Sequence, residues 1–86
     1  MPEQELFGNL KQDIIEGDSE ALTRLVRETI DHTNPLEMIE NGMMPGMTEI
    51  GDKFSTGEVF LPELLMAAEA FQEAMKIIKP RLEASG

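Results

Sequence analysis

The 86-residue sequence predicts an all-α protein, an antiparallel four-helix bundle with a broken third helix. Three observations carry that prediction. Apolar residues recur at helical spacing in four separate stretches. Glycine, proline and capping residues divide those stretches at short intervals, which favours antiparallel neighbours. Nowhere do apolar and polar residues alternate in the two-residue rhythm of a half-buried strand.

The first helix is expected from about Gln4 to Glu16, with Leu6, Phe7, Leu10, Ile14 and Ile15 at helical spacing and Gly17 as its stop. Asp18 is positioned to cap the second helix, where Leu22, Leu25, Val26, Thr29 and Ile30 form one apolar face. Asn34-Pro35 opens the third, because asparagine caps well and proline suits the first helical position. Asn41-Gly42 is expected to break it, with a second start at Pro45. Gly46 and Gly51 in that second part suggest close helix contact. Ser55-Thr56-Gly57-Glu58 reads as a turn, and Leu61-Pro62 begins the longest helix, out to about Leu82. Its predicted stripe is Leu61, Leu64, Leu65, Ala68, Phe71, Met75, Ile78 and Leu82, with Pro80 bending or fraying the last turns.

Composition narrows the chemistry. Seventeen acids against seven bases give a net charge of −10, a surface that repels phosphate backbones and anionic lipids. Neither nucleic acid nor membrane is therefore an expected partner. With no cysteine, disulfides and thiolate-held metals are excluded, and the composition suits a reducing cytoplasm. Met1 to Glu5 is acidic without an apolar core, so no signal peptide is expected. His32 is the only histidine, and a metal site needs several converging ligands; it reads as a surface residue near a helix end. The carboxylates are scattered. No catalytic residue and no metal ligand is assigned, and the chain reads as a capping or interaction module, not catalytic alone.

One stretch departs from the pattern. Phe54-Ser55-Thr56-Gly57-Glu58-Val59-Phe60-Leu61-Pro62-Glu63-Leu64-Leu65 sets large apolar side chains around a tight turn, where polar residues are the rule. They cannot easily all point into one small bundle. Either they plug the end of the core or they form an apolar platform for a flat ligand or a partner domain.

Those residues also carry a resemblance. Pro45-Gly46-Met47, Ile50-Gly51, Phe54, Gly57-Glu58 and Phe60-Leu61-Pro62-Glu63-Leu64-Leu65 resemble the N-terminal helical cap of methyltransferase-type corrinoid proteins. That family includes the cobalamin-binding module of cobalamin-dependent methionine synthase and the methanol and methylamine corrinoid proteins. The likeness continues through Ala67-Ala68 to Lys79-Pro80, and Ile14-Ile15-Glu16-Gly17-Asp18 with Ala21 and Leu25 is similar to the family's first helix pair.

The resemblance implies that residues 1–83 are the cap and 84–86 the start of a linker to an absent cobalamin-binding α/β domain. It implies a module that shields the upper face and methyl group of a cobalt cofactor during methyl transfer, then moves aside. Carried over residue by residue, the cofactor-facing side chains are Phe54, Phe60, Leu61 and Leu64, with Phe54 and Leu61 over the ring. Cobalamin or a related corrinoid is expected in the intact protein and none on this piece alone. The implied partners are the corrinoid-binding α/β domain and methyltransferase subunits. The family's Asp-x-His-x-x-Gly motif, whose histidine ligates cobalt from below, has no counterpart here, since Asp31-His32 has the wrong spacing. The alternative is a free-standing or regulatory helical protein–protein interaction module without corrinoid.

Overall fold

The helix boundaries follow from local chemistry at each end. In the computed structural model, which describes residues 2–85, α1 spans Glu3–Glu16, with Glu3 and Glu5 placing negative charge in its first turn. Gly17, at φ 66°, ends it. Its N–H donates to Ile14 O at 2.9 Å, while the Asp18 N–H donates to Asp13 O at 3.0 Å. This paired pattern satisfies carbonyls that a helix end leaves free. Asp18 then serves twice, its side chain accepting from the Ala21 N–H at 3.0 Å to start α2, Ser19–Thr29. Met1 and Gly86 lie outside the described residues.

Asn34 caps α3, Pro35–Glu37, accepting from the Leu36 and Glu37 amides. The expected break at Asn41-Gly42 takes the form of a change of pitch. A π-helical stretch, Met38–Met43, leads without a gap into α4, Met44–Ser55. There the Met44 N–H reaches Ile39 O, five residues back, just before Pro45, which has no N–H to offer. The helix α5, Leu61–Ser85, runs through Pro80 and includes Glu83, Ala84 and Ser85. At about 1.5 Å per residue it is as long as the molecule's 39 Å longest dimension.

Side-chain register gives the topology. Gly42 lies against Leu10 and Gly46 against Ile14, so α1 and the π–α4 run are parallel. Gly17 lies against Met66, and Arg81 pairs with Asp31 at 2.6 Å, so α2 and α5 are parallel too. With α3, the π-helical stretch and α4 taken as one run, consecutive helical runs are antiparallel, giving an up-down-up-down bundle with no strand among the described residues.

The core is Leu6, Leu10 and Ile14 from α1, Leu22, Val26 and Ile30 from α2 and its end, Met38, Met43 and Ile50 from the third helical run, and Ala67, Ala70, Ala74 and Ile78 from α5. No polar or charged residue among those described is buried.

Two expectations are corrected here. Of the predicted α5 stripe, only Ile78 is fully buried; the buried line is Ala67, Ala70, Ala74 and Ile78. Small residues at the contact let α5 approach its neighbours closely, so its larger side chains Leu64, Phe71, Met75 and Leu82 pack on the flanks. The close-contact glycines are Gly42 and Gly46; a Cβ on Gly51 would meet nothing within 4 Å.

Candidate functional site

The corner between α4 and α5 is built by two backbone devices. Gly57, at φ 81°, ends α4 as Gly17 ends α1: its N–H donates to Phe54 O at 3.1 Å and the Glu58 N–H to Lys53 O at 2.8 Å. The Val59 N–H reaches the same Lys53 carbonyl at 3.4 Å, and the Val59 side chain packs against the core as an anchor. Phe60 then occupies the N-cap of α5, with its N–H donating to Glu63 Oε1 at 3.0 Å.

These devices hold up an exposed apolar surface. Phe54, on the last turn of α4, is 41% exposed; Phe60 is 75% and Leu61 51% exposed. Leu64 is half-buried, its inner side packed on the core. Of the four residues singled out in the sequence, three therefore face solvent and the fourth roots the patch. Leu65 and Met66, the next residues along α5, are also more than half exposed. Met66 was not legible in the sequence as a surface residue, because a methionine beside an alanine stripe looks like core filler. The expectation that this corner merely plugs the bundle does not fit these exposures.

An aromatic residue at an N-cap is a local departure. Serine, threonine, aspartate or asparagine there supply an oxygen to the free amides, and replacing one by an apolar residue costs about 1 kcal/mol. Phe60 supplies none and leaves its ring in water. Departures of this kind concentrate where function requires them.

None of the four side chains can ligate a metal, and no group of three or more potential His, Cys, Asp or Glu ligands occurs among the described residues. His32 is exposed just beyond α2, its N–H donating to Thr29 O. The titratable group that departs most from its usual range is Asp13, near the α1–α2 corner. Partial burial, with Asp18 and Glu16 beside it, pushes its carboxyl from 3.8 up to about 6. On the α1–α4 side, Lys11 at 3.1 Å holds the Glu49 carboxyl below its ordinary value, helped by Lys53.

The B12 binding domain family matches residues 6–79. The chain belongs to that family. It is 40% identical over 84 residues to monomethylamine corrinoid protein 1 of Methanosarcina mazei, covering 96% of this chain and 38% of that protein. It is 38% identical to the trimethylamine corrinoid protein of Methanosarcina barkeri, covering 93% of this chain and 37% of the relative. The chain thus spans less than two fifths of the length of these relatives.

Among solved structures, the monomethylamine corrinoid protein of Methanosarcina barkeri superposes with a TM-score of 0.91 at 32% identity, over 95% of this chain and 39% of that one. A chain of the methanol:cobalamin methyltransferase complex from the same organism gives 0.81 at 26% identity, over 93% and 31%. The chain is therefore a helical cap domain homologous to those of the methylamine and methanol corrinoid proteins. No helix among its described residues is long and apolar enough to cross a membrane.

Proposed function

We propose that this B12 binding domain shields the upper face of a corrinoid in an intact methyl-carrier protein, using Phe54, Phe60, Leu61 and Leu64. The observation that carries the reading is the outward-facing apolar corner, with Phe60 exposed at a position where a polar cap is preferred. When bound, the corrinoid supplies a cobalt that carries a methyl group. What this chain contributes is exclusion of water by side chains that offer no competing ligand.

Magnitudes favour a cover that opens. Fully burying a leucine or phenylalanine is worth about 1.5–3 kcal/mol, so half-exposed residues retain about 1 kcal/mol each for a partner. Four of them supply a few kcal/mol, less than the 4–15 kcal/mol that association of free bodies costs. The cap thus needs a covalent tether to stay in place and opens at low cost, since dispersive and hydrophobic contacts break no bond. In this reading the tether leads to a corrinoid-binding α/β domain, and methyltransferase subunits use the opened face. The whole protein works in the cytoplasm.

The test joins this chain to the corrinoid-binding domain of a monomethylamine corrinoid protein and loads methylcobalamin. Photolysis and oxidation are expected to be slower than with the corrinoid-binding domain alone, and Phe54→Ala with Leu61→Ala to remove the protection. Equal rates with and without the two substitutions would sink the reading.

A further inference from the structure

The turn from Thr56 to Phe60 presents five consecutive backbone N–H groups, and each has a partner. Thr56 donates to Asp52 O, Gly57 to Phe54 O, and Glu58 and Val59 to Lys53 O, all backbone carbonyls. Phe60 alone depends on a side chain, donating to Glu63 Oε1 at 3.0 Å. The Phe60 carbonyl in turn accepts from the Glu63 N–H at 3.0 Å and the Leu64 N–H at 3.4 Å. Phe60 and Glu63 are therefore tied in both directions. This is the half of a capping box that an apolar N-cap residue still permits.

We propose that Glu63 is the positioning residue of the apolar platform: its carboxylate fixes the backbone from which Phe60 and Leu61 project. The inference rests on the reading that this corner covers a corrinoid. Both side chains are at least half exposed, so packing does little to orient them. Their direction is set by the backbone, and of the hydrogen bonds that hold the backbone at Phe60 only the one to Glu63 Oε1 comes from a side chain. The carboxylate also lies in the first turn of α5, where negative charge is favoured by the helix dipole.

Two substitutions separate positioning from general stability. Glu63→Gln keeps an acceptor oxygen at the same reach; Glu63→Ala removes it. In this chain, Glu63→Ala is expected to raise exchange of the Phe60 amide with water about fivefold, the equilibrium effect of one lost capping bond. Amides of the buried α1 and α2 segments should keep their protection. In the methylcobalamin-loaded fusion described above, the same variant is expected to speed photolysis, and Glu63→Gln to restore both readouts. Unchanged exchange in Glu63→Ala overturns the proposal. So does faster exchange with unchanged photolysis when Phe54→Ala with Leu61→Ala does speed photolysis. If neither Glu63→Ala nor the platform pair alters photolysis while Phe60 exchange rises, the shielding reading fails and takes this proposal with it.

Discussion

Gly46 and Gly51 sit five residues apart in α4 and differ in what surrounds them, which makes their alanine variants a sharp pair. A Cβ on Gly46 would lie 2.8 Å from Ile14 Cβ, 2.9 Å from Ile14 Cγ2 and 2.9 Å from Lys11 O. Ile14 is fully buried and branched at Cβ, and Lys11 O belongs to the α1 backbone, so neither can yield without moving a helix. Overpacking of that kind costs about 1–3 kcal/mol, and the involvement of backbone places it near 3. Alanine recovers about 1 kcal/mol of helix propensity, leaving Gly46→Ala destabilised by about 2 kcal/mol. Gly51→Ala has the same propensity gain and no contact within 4 Å, so it should be stabilised by up to about 1 kcal/mol. In a domain this small, 1 kcal/mol moves Tm by about 4–8 °C. Thermal unfolding followed by far-UV circular dichroism should separate the two variants by more than 10 °C, with the parent between them. A Gly46→Ala variant as stable as Gly51→Ala would refute the close helix approach.

Gly17→Ala and Gly57→Ala both force alanine into a left-handed backbone, at about 1–2 kcal/mol. Only Gly17→Ala also drives a Cβ to 2.8 Å from Met66 Cβ, so urea unfolding should rank it clearly the weaker of the two. Asp13 tests linkage. Its folded pKa of about 6 exceeds the ordinary 3.8, so the native state holds the proton more tightly. The associated stability is present below about pH 4 and is lost as pH rises through 6. Asp13→Asn should therefore raise the urea midpoint relative to the parent at pH 7, with the advantage fading towards pH 4. A constant difference across that range would count against the shift. The platform pair and the Glu63 variants complete the set.

Much of the fold was legible because it is encoded locally. Gly17, Asp18, Asn34-Pro35, Gly57 and Leu61-Pro62 mark helix ends through backbone geometry and hydrogen bonds made within a few residues. The unusual apolar corner from Phe54 to Leu65 was legible as well, since large apolar side chains at a turn conflict with the polarity expected there. The half capping box of Glu63 lay in the sequence as a glutamate three residues after Phe60, but an aromatic N-cap concealed it.

By itself, then, the sequence determined most helix starts, the stops at Gly17 and Gly57, and which corner carries apolar residues in excess. Only the tertiary structure decided which glycines of the third helical run touch α1, which line of α5 enters the core, and that Phe60 and Leu61 face outward. Helical ends depend on neighbours a few residues away, whereas burial depends on how closely two helix axes approach. Spacing of 3.6 residues marks an apolar arc without saying which part of it meets another helix. On α5 that arc is wide enough to hold both the alanine seam and the leucines beside it, and the close approach allowed by the alanines selected the seam.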